Sequence, residues 1–118
     1  MFSPQLLNHF AHPRNVGELE QPSAAAEVEN PVCGDVLRLT LKIEAGQIVA
    51  ARFRAQGCVA CVGCASLLTE LITGKPAEQA QTLAAADLAR ELGALPAGSS
   101  HAADLAIEAL KAALSKPM

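Results

Sequence analysis

Apolar positions change period along this chain, and the changes mark its elements. From Val36 to Ile43, Leu37, Leu39, Leu41 and Ile43 alternate with Arg38, Thr40 and Lys42. That period of two is a strand with one wet face. Glu44-Ala45-Gly46-Gln47 supplies a turn, and Ile48 to Ala55 reads as the returning strand, with Val49, Ala51, Phe53 and Ala55 opposite Arg52 and Arg54. The two runs predict a β-hairpin. Glu27 to Val32 adds a third strand ahead of it.

Elsewhere the period is helical. Ser3 caps and Pro4 opens a first helix, whose apolar face is Leu6, Leu7 and Phe10; Pro13 stops it near His12. Residues 14–26, with Gly17, Pro22 and an Ala run, read as a loop or loosely held arm. After Cys58 a helix is expected to run to about Thr73, ended by Gly74-Lys75-Pro76. Short helices follow over 77–81 and 85–92, then a loop over 93–100. The last helix, over 100–115, has a polar stripe of Asp104, Glu108, Lys111 and Ser115 and an apolar one of Ala103, Ile107, Leu110 and Leu114. Helix, strands, then helices predicts an α+β fold, a small antiparallel three-stranded sheet with helices on one face. At 118 residues without an internal repeat, a single domain over 1–118 is expected.

Composition narrows the function classes. The chain is 51% apolar, but its only aromatics are three Phe, so the core must be built from Leu, Ile, Val and Ala. Net charge is -3 and the nine basic residues are scattered, which argues against nucleic-acid binding. No apolar run reaches the ~18 residues of a membrane span, and the N-terminus lacks the order of a signal peptide. A cytoplasmic, reducing setting is the expectation. There, clustered cysteines bind metal or do redox work more often than they form disulfides.

All four cysteines sit in two motifs: Cys33-Gly34-Asp35, and Gly57-Cys58-Val59-Ala60-Cys61-Val62-Gly63-Cys64, a C-x2-C-x2-C run. Core filling explains one or two such residues; three beside a glycine point to metal or cluster ligands. Cys33 precedes the hairpin and Cys58 follows it, so the hairpin brings both to one end of the sheet. A thiolate where a helix begins is favoured electrostatically. Asp35 offers a hard oxygen ligand or forms a turn, and His101 opens the last helix on its polar side. Gly34 and Gly57 permit a tight turn or the close approach of a bound group.

The chain also carries Asn8-His9-Phe10-Ala11-His12-Pro13-Arg14-Asn15-Val16-Gly17, Arg52-Phe53-Arg54 before Gly57-Cys58, Leu67-Leu68-Thr69-Glu70 and Gly74-Lys75. With the cysteine motifs, in this order and spacing, it resembles the iron–sulfur cluster scaffold family typified by IscU and the N-terminal domain of NifU. The resemblance implies a non-enzymatic scaffold on which a transient [2Fe–2S] cluster is built and passed to apo-protein acceptors. A cysteine desulfurase supplies the sulfur as persulfide, and zinc can occupy the site instead of iron. Cys33, Asp35, Cys58 and His101 match the family's site residues.

Two departures stand out. The family's third cysteine follows the histidine, where this chain has Ala102. Its Leu-Pro-Pro-Val-Lys chaperone-docking stretch reads Leu95-Pro96-Ala97-Gly98-Ser99, which weakens the case for a chaperone partner. Cys61 and Cys64 take positions usually held by small non-thiol residues. Cys61, one helical turn from Cys58, is the expected surrogate ligand. Cys64 joins it if residues 58–63 form a loop. Competing readings are a paralogue holding one zinc ion and a thiol-redox protein using Cys58 and Cys61. Monomer and homodimer both stay open.

Overall fold

The hairpin organises the molecule. The computed structural model describes residues 2–31, 34–96 and 99–115. Strand β2 (Asp35–Glu44) turns through Ala45 and Gly46, at φ 53° and 79°, into β3 (Gln47–Gln56). Two left-handed residues give the tight turn whose twist suits a hairpin. Strand β1 (Ala24–Asn30) pairs antiparallel on the other side of β2, giving the order β1-β2-β3. It starts earlier than its sequence suggests because Ala24, Ala25 and Ala26 find partners in Leu41, Thr40 and Leu39; pairing overrides alanine's weak strand preference. The Val32 end of the expected strand lies outside the described residues.

One face of the returning strand differs from expectation. The register slips between Lys42, opposite Ala50, and Ile43, opposite Ile48. That leaves Val49 as the extra residue of a bulge, and side chains beyond it swap faces. Ile48 is therefore fully buried and Val49 is 44% exposed.

Helices α2 (Val59–Ile72) and α5 (Ser100–Ser115) cover the inner face, over Leu37, Leu39, Leu41, Ala51 and Phe53. Helix α2 is buried over most of its circumference, as an interior helix is. Five of the six alanines of α5, at 102, 103, 106, 109 and 113, are buried. Helix α1 (Pro4–Ala11) packs on α2 through Leu6, which lies against Gly63; α3 (Ala77–Ala80) and α4 (Ala85–Glu91) close the far side. Ser3 caps α1 by accepting from Leu6 N at 3.0 Å, and its hydroxyl donates to Leu92 O. No helix among the described residues is long and apolar enough to cross a membrane.

The segment expected to be loosely held is pinned. Phe53 N donates to Asn15 O at 3.0 Å and Gly17 N to Phe53 O at 2.8 Å, so Val16 pairs in parallel with the edge of β3. The chain then crosses the outer face of the sheet. Glu18 pairs with Arg38 at 2.8 Å, and Leu19 N donates to Thr40 Oγ1 at 3.2 Å. Thr40, read as a wet-face residue, is only 1% exposed for that reason. At its start the arm is tied to α2. Ser66 Oγ accepts from Arg14 N at 2.9 Å and shares a hydrogen bond with His9 Nδ1 at 2.7 Å; Asn15 Nδ2 donates to Thr69 Oγ1 at 3.1 Å. Partnered in this way, the buried Ser66 and Thr69 carry little desolvation cost.

Candidate metal centre

Three elements end at one point. Asp35 is the first residue of β2, Cys58 the N-cap of α2, and His101 lies in the first turn of α5. Cys58 has extended backbone angles, φ -75° and ψ 171°, and its side chain does not cap the helix. Its thiol instead points at Asp35 Oδ2, 3.6 Å away. His101 Nε2 approaches the same oxygen to 3.5 Å. One ligand atom from each residue falls within 4.8 Å of the others. A tetrahedral ion with bonds of about 2.0–2.3 Å spaces its ligand atoms roughly 3.3–3.8 Å apart. The two shorter edges of this triangle already have that length.

The polar accounting points the same way. His101 Nε2 is buried and makes no hydrogen bond among the described residues; its approach to Asp35 is an ion pair only if the imidazole is protonated. A buried ring nitrogen without a partner costs free energy unless something else takes its lone pair. Asp35 is itself only 4% exposed. Cys58, by contrast, is exposed, so the triangle opens to solvent on its thiol side.

Gly57 seats the carboxylate. A Cβ at this position would lie 2.5 Å from Asp35 Oδ1 and 2.7 Å from its Cγ. The sequence singled out Gly57 for the approach of a bound group; the group that approaches is Asp35. Gly34 has a different reason: at φ 76° it is in left-handed backbone, and its N–H returns to Asn30 O at 2.7 Å. Cys33, the expected first ligand, lies outside the described residues, as do Ala97 and Gly98 of the stretch aligned with chaperone docking.

Cys61 and Cys64 are not brought to this cluster. Residues 59–72 are helical from the start, so the loop that would have gathered all three thiols does not form. Cys61 is 1% exposed and Cys64 fully buried, both within the apolar core. Burial pushes each thiol up to about 12, helped at Cys61 by the charges of Asp35 and Cys58. Cys61 is buried one turn below Cys58 and is not among the ligand atoms that converge with Asp35 and His101. Ala102, where the resemblance expects a cysteine, is 1% exposed and faces the core beside His101.

A carboxylate, a thiol and an imidazole at one end of a small sheet make the donor set of a candidate metal site. Residues 1–117 match the NifU-like N-terminal domain. The chain is 36% identical over 114 residues to an iron–sulfur cluster assembly scaffold protein IscU of Archaeoglobus fulgidus, covering 97% of this chain and 74% of that one. It is 38% identical over 117 residues to the scaffold protein IscU of Azotobacter vinelandii, covering 96% and 91%. The crystal structure of the N-terminal part of a NifU-like protein from Brucella abortus superposes with a TM-score of 0.75 at 18% identity, over 95% of this chain and 90% of that one, a likeness of fold. The chain belongs to the NifU-like N-terminal domain family, that of the iron–sulfur cluster assembly scaffolds.

Proposed function

We propose that this scaffold collects iron and sulfide into a [2Fe–2S] cluster held by Cys33, Asp35, Cys58 and His101, and hands it to apo-proteins. The buried Nε2 of His101, without a hydrogen bond among the described residues and set 3.5 Å from a buried carboxylate that also faces the Cys58 thiol, carries this reading. Cys33 is two residues from Asp35 in sequence. Thiolates bind iron firmly; a carboxylate in the set is a harder and more exchangeable ligand. An exposed Cys58 lets sulfur arrive from a cysteine desulfurase as persulfide and lets an acceptor's thiolate attack during transfer. Neither step needs turnover chemistry from this chain, and the role is that of a carrier.

The ligand spacing favours one further reading. Edges of 3.5 and 3.6 Å suit a single tetrahedral zinc ion as they stand. Protein prepared without oxygen or chelators, and reconstituted with ferrous iron and sulfide, separates the two. Iron and acid-labile sulfide in near-equal amounts, with thiolate-to-iron absorption that Cys58→Ala and His101→Ala abolish, is the result expected. Tight zinc binding with no cluster after reconstitution would overturn the scaffold reading in favour of the zinc one.

A further inference from the structure

The thiol that does not reach the cluster is placed for a different task. Cys58 is the exposed N-cap of α2, and Cys61 is the buried third residue of that helix, one turn below it. Residues so spaced are neighbours on a helix, with Cβ atoms about 5–6 Å apart. A disulfide needs roughly 3.5–4.5 Å. Cys58 stands outside the helical backbone as its N-cap, so the approach that a disulfide requires falls on Cys58 and not on the helix below. The pair thus has one accessible sulfur and one shielded sulfur behind it.

We propose that Cys61 is a resolving thiol, which releases sulfide from a persulfide carried on Cys58 by forming a Cys58–Cys61 disulfide. The inference rests on the reading of Cys58 as the sulfur acceptor. Sulfur delivered as persulfide must be reduced before it enters a cluster as sulfide. In the step, Cys61 Sγ bonds to Cys58 Sγ, and the bond between Cys58 Sγ and the terminal sulfur breaks. The terminal sulfur leaves with the electron pair of that bond and the proton of the Cys61 thiol, as hydrosulfide. The two cysteine sulfurs are oxidised to a disulfide and the sulfane sulfur is reduced to sulfide. A dithiol reductant then resets the pair for another round. Shielding suits Cys61 to this part: a donor in solution meets Cys58 and not Cys61, so sulfur loads at the outer position and the inner thiol stays reduced. Cys64, another turn deeper and fully buried, has no access to the outer sulfur.

The test uses the full chain, reduced and metal-free, with inorganic polysulfide as the sulfane donor. After excess donor is removed, released sulfide is assayed, and the alkylated protein is weighed intact and mapped by peptide. Wild type should release up to one equivalent of sulfide and acquire a Cys58–Cys61 disulfide. Cys61→Ala should hold the added sulfur on Cys58 and release at least tenfold less; Cys64→Ala should match wild type and controls for loss of a buried thiol. Wild type that retains its persulfide, or Cys61→Ala that releases sulfide as fast as wild type, would overturn the proposal. Reconstitution with iron and free sulfide bypasses this step. Cys61→Ala should therefore still form a cluster, whereas failure of wild type to do so counts against the scaffold reading alone.

Discussion

Gly57→Ala should cripple the metal centre while leaving the fold intact. Gly57 does not occupy left-handed backbone, so the backbone tolerates alanine and the effect is purely steric. The new methyl would lie 2.5 Å from Asp35 Oδ1, 2.7 Å from Cγ and 3.0 Å from Cβ. Ordinary contact begins near 3.4 Å, so the carboxylate must retreat by about 1 Å. Metal–ligand bonds tolerate only about 0.2 Å, so Asp35 is lost as a ligand or the metal shifts with it. Disturbing the support of a ligand typically costs about 10–100-fold in affinity. Overpacking costs about 1–3 kcal/mol, against a typical total of about 5–15, so the variant folds. Zinc competition with a chromogenic chelator reads the affinity, and urea denaturation of the metal-free protein reads the stability. In an Asp35→Ala background only the 3.0 Å contact with Cβ remains, so the alanine at 57 should cost little further. Unchanged zinc affinity in Gly57→Ala, with Asp35→Ala weakened, would refute the claim that Gly57 seats the carboxylate.

Three more outcomes follow from the same coordinates. Gly63→Ala drives a methyl into Leu6 Cδ1, inside the α1–α2 contact; it should cost about 1–3 kcal/mol, and Leu6→Val should recover part of that in a double-mutant cycle by urea denaturation. His9 lies below its ordinary 6.5, because burial and then the charge of Arg14 disfavour its protonated form, with Glu70 opposing them. The unfolded chain takes up this proton first, so stability holds above pH 6.5 and falls as pH drops from there through the folded value; denaturation at a series of pH values should show that loss, and His9→Gln should remove it. Under native conditions iodoacetamide should label Cys58 and spare Cys61 and Cys64, which burial shields from a reagent in solution, until denaturant exposes them; peptide mapping reads the difference.

What the residues revealed, and what they hid, divides by range of interaction. The hairpin, the capped first helix and the break at Gly74-Lys75-Pro76 are local patterns, and they fold as their periods say. Val49 went to the wrong face because a bulge is set by the partner strand, and one slipped position inverts every side chain beyond it. Residues 14–26 looked loose because their partners lie far away in sequence: Phe53, Thr40 and Arg38 for the first part, and β2 for the alanines that open β1. At the centre, the convergence of Asp35, Cys58 and His101 was anticipated from hairpin topology and resemblance together. Gly57's part was hidden, since a glycine before a cysteine says nothing of which side chain lies over it. The depth of Cys61 followed from where α2 begins, which depends on Cys58 acting as N-cap rather than as part of a loop.

Ala102 and Cys61 raise the question of whether one thiol has simply moved from α5 to α2. Their surroundings say that it has not. Ala102 stands beside His101, already at the centre, while Cys61 sits behind Cys58 within the core. A thiol at 102 would be as buried as Cys61, but it would lie beside His101 on α5 rather than one turn below Cys58 on α2, and so would not stand behind a persulfide on Cys58. The double variant Cys61→Ala with Ala102→Cys should therefore still form a cluster on reconstitution with iron and free sulfide, read by its visible absorption. It should still fail to release sulfide from polysulfide-loaded Cys58. If the restored thiol instead recovers sulfide release, the two positions are interchangeable, and Cys61 is a displaced member of the ligand set rather than a reductant.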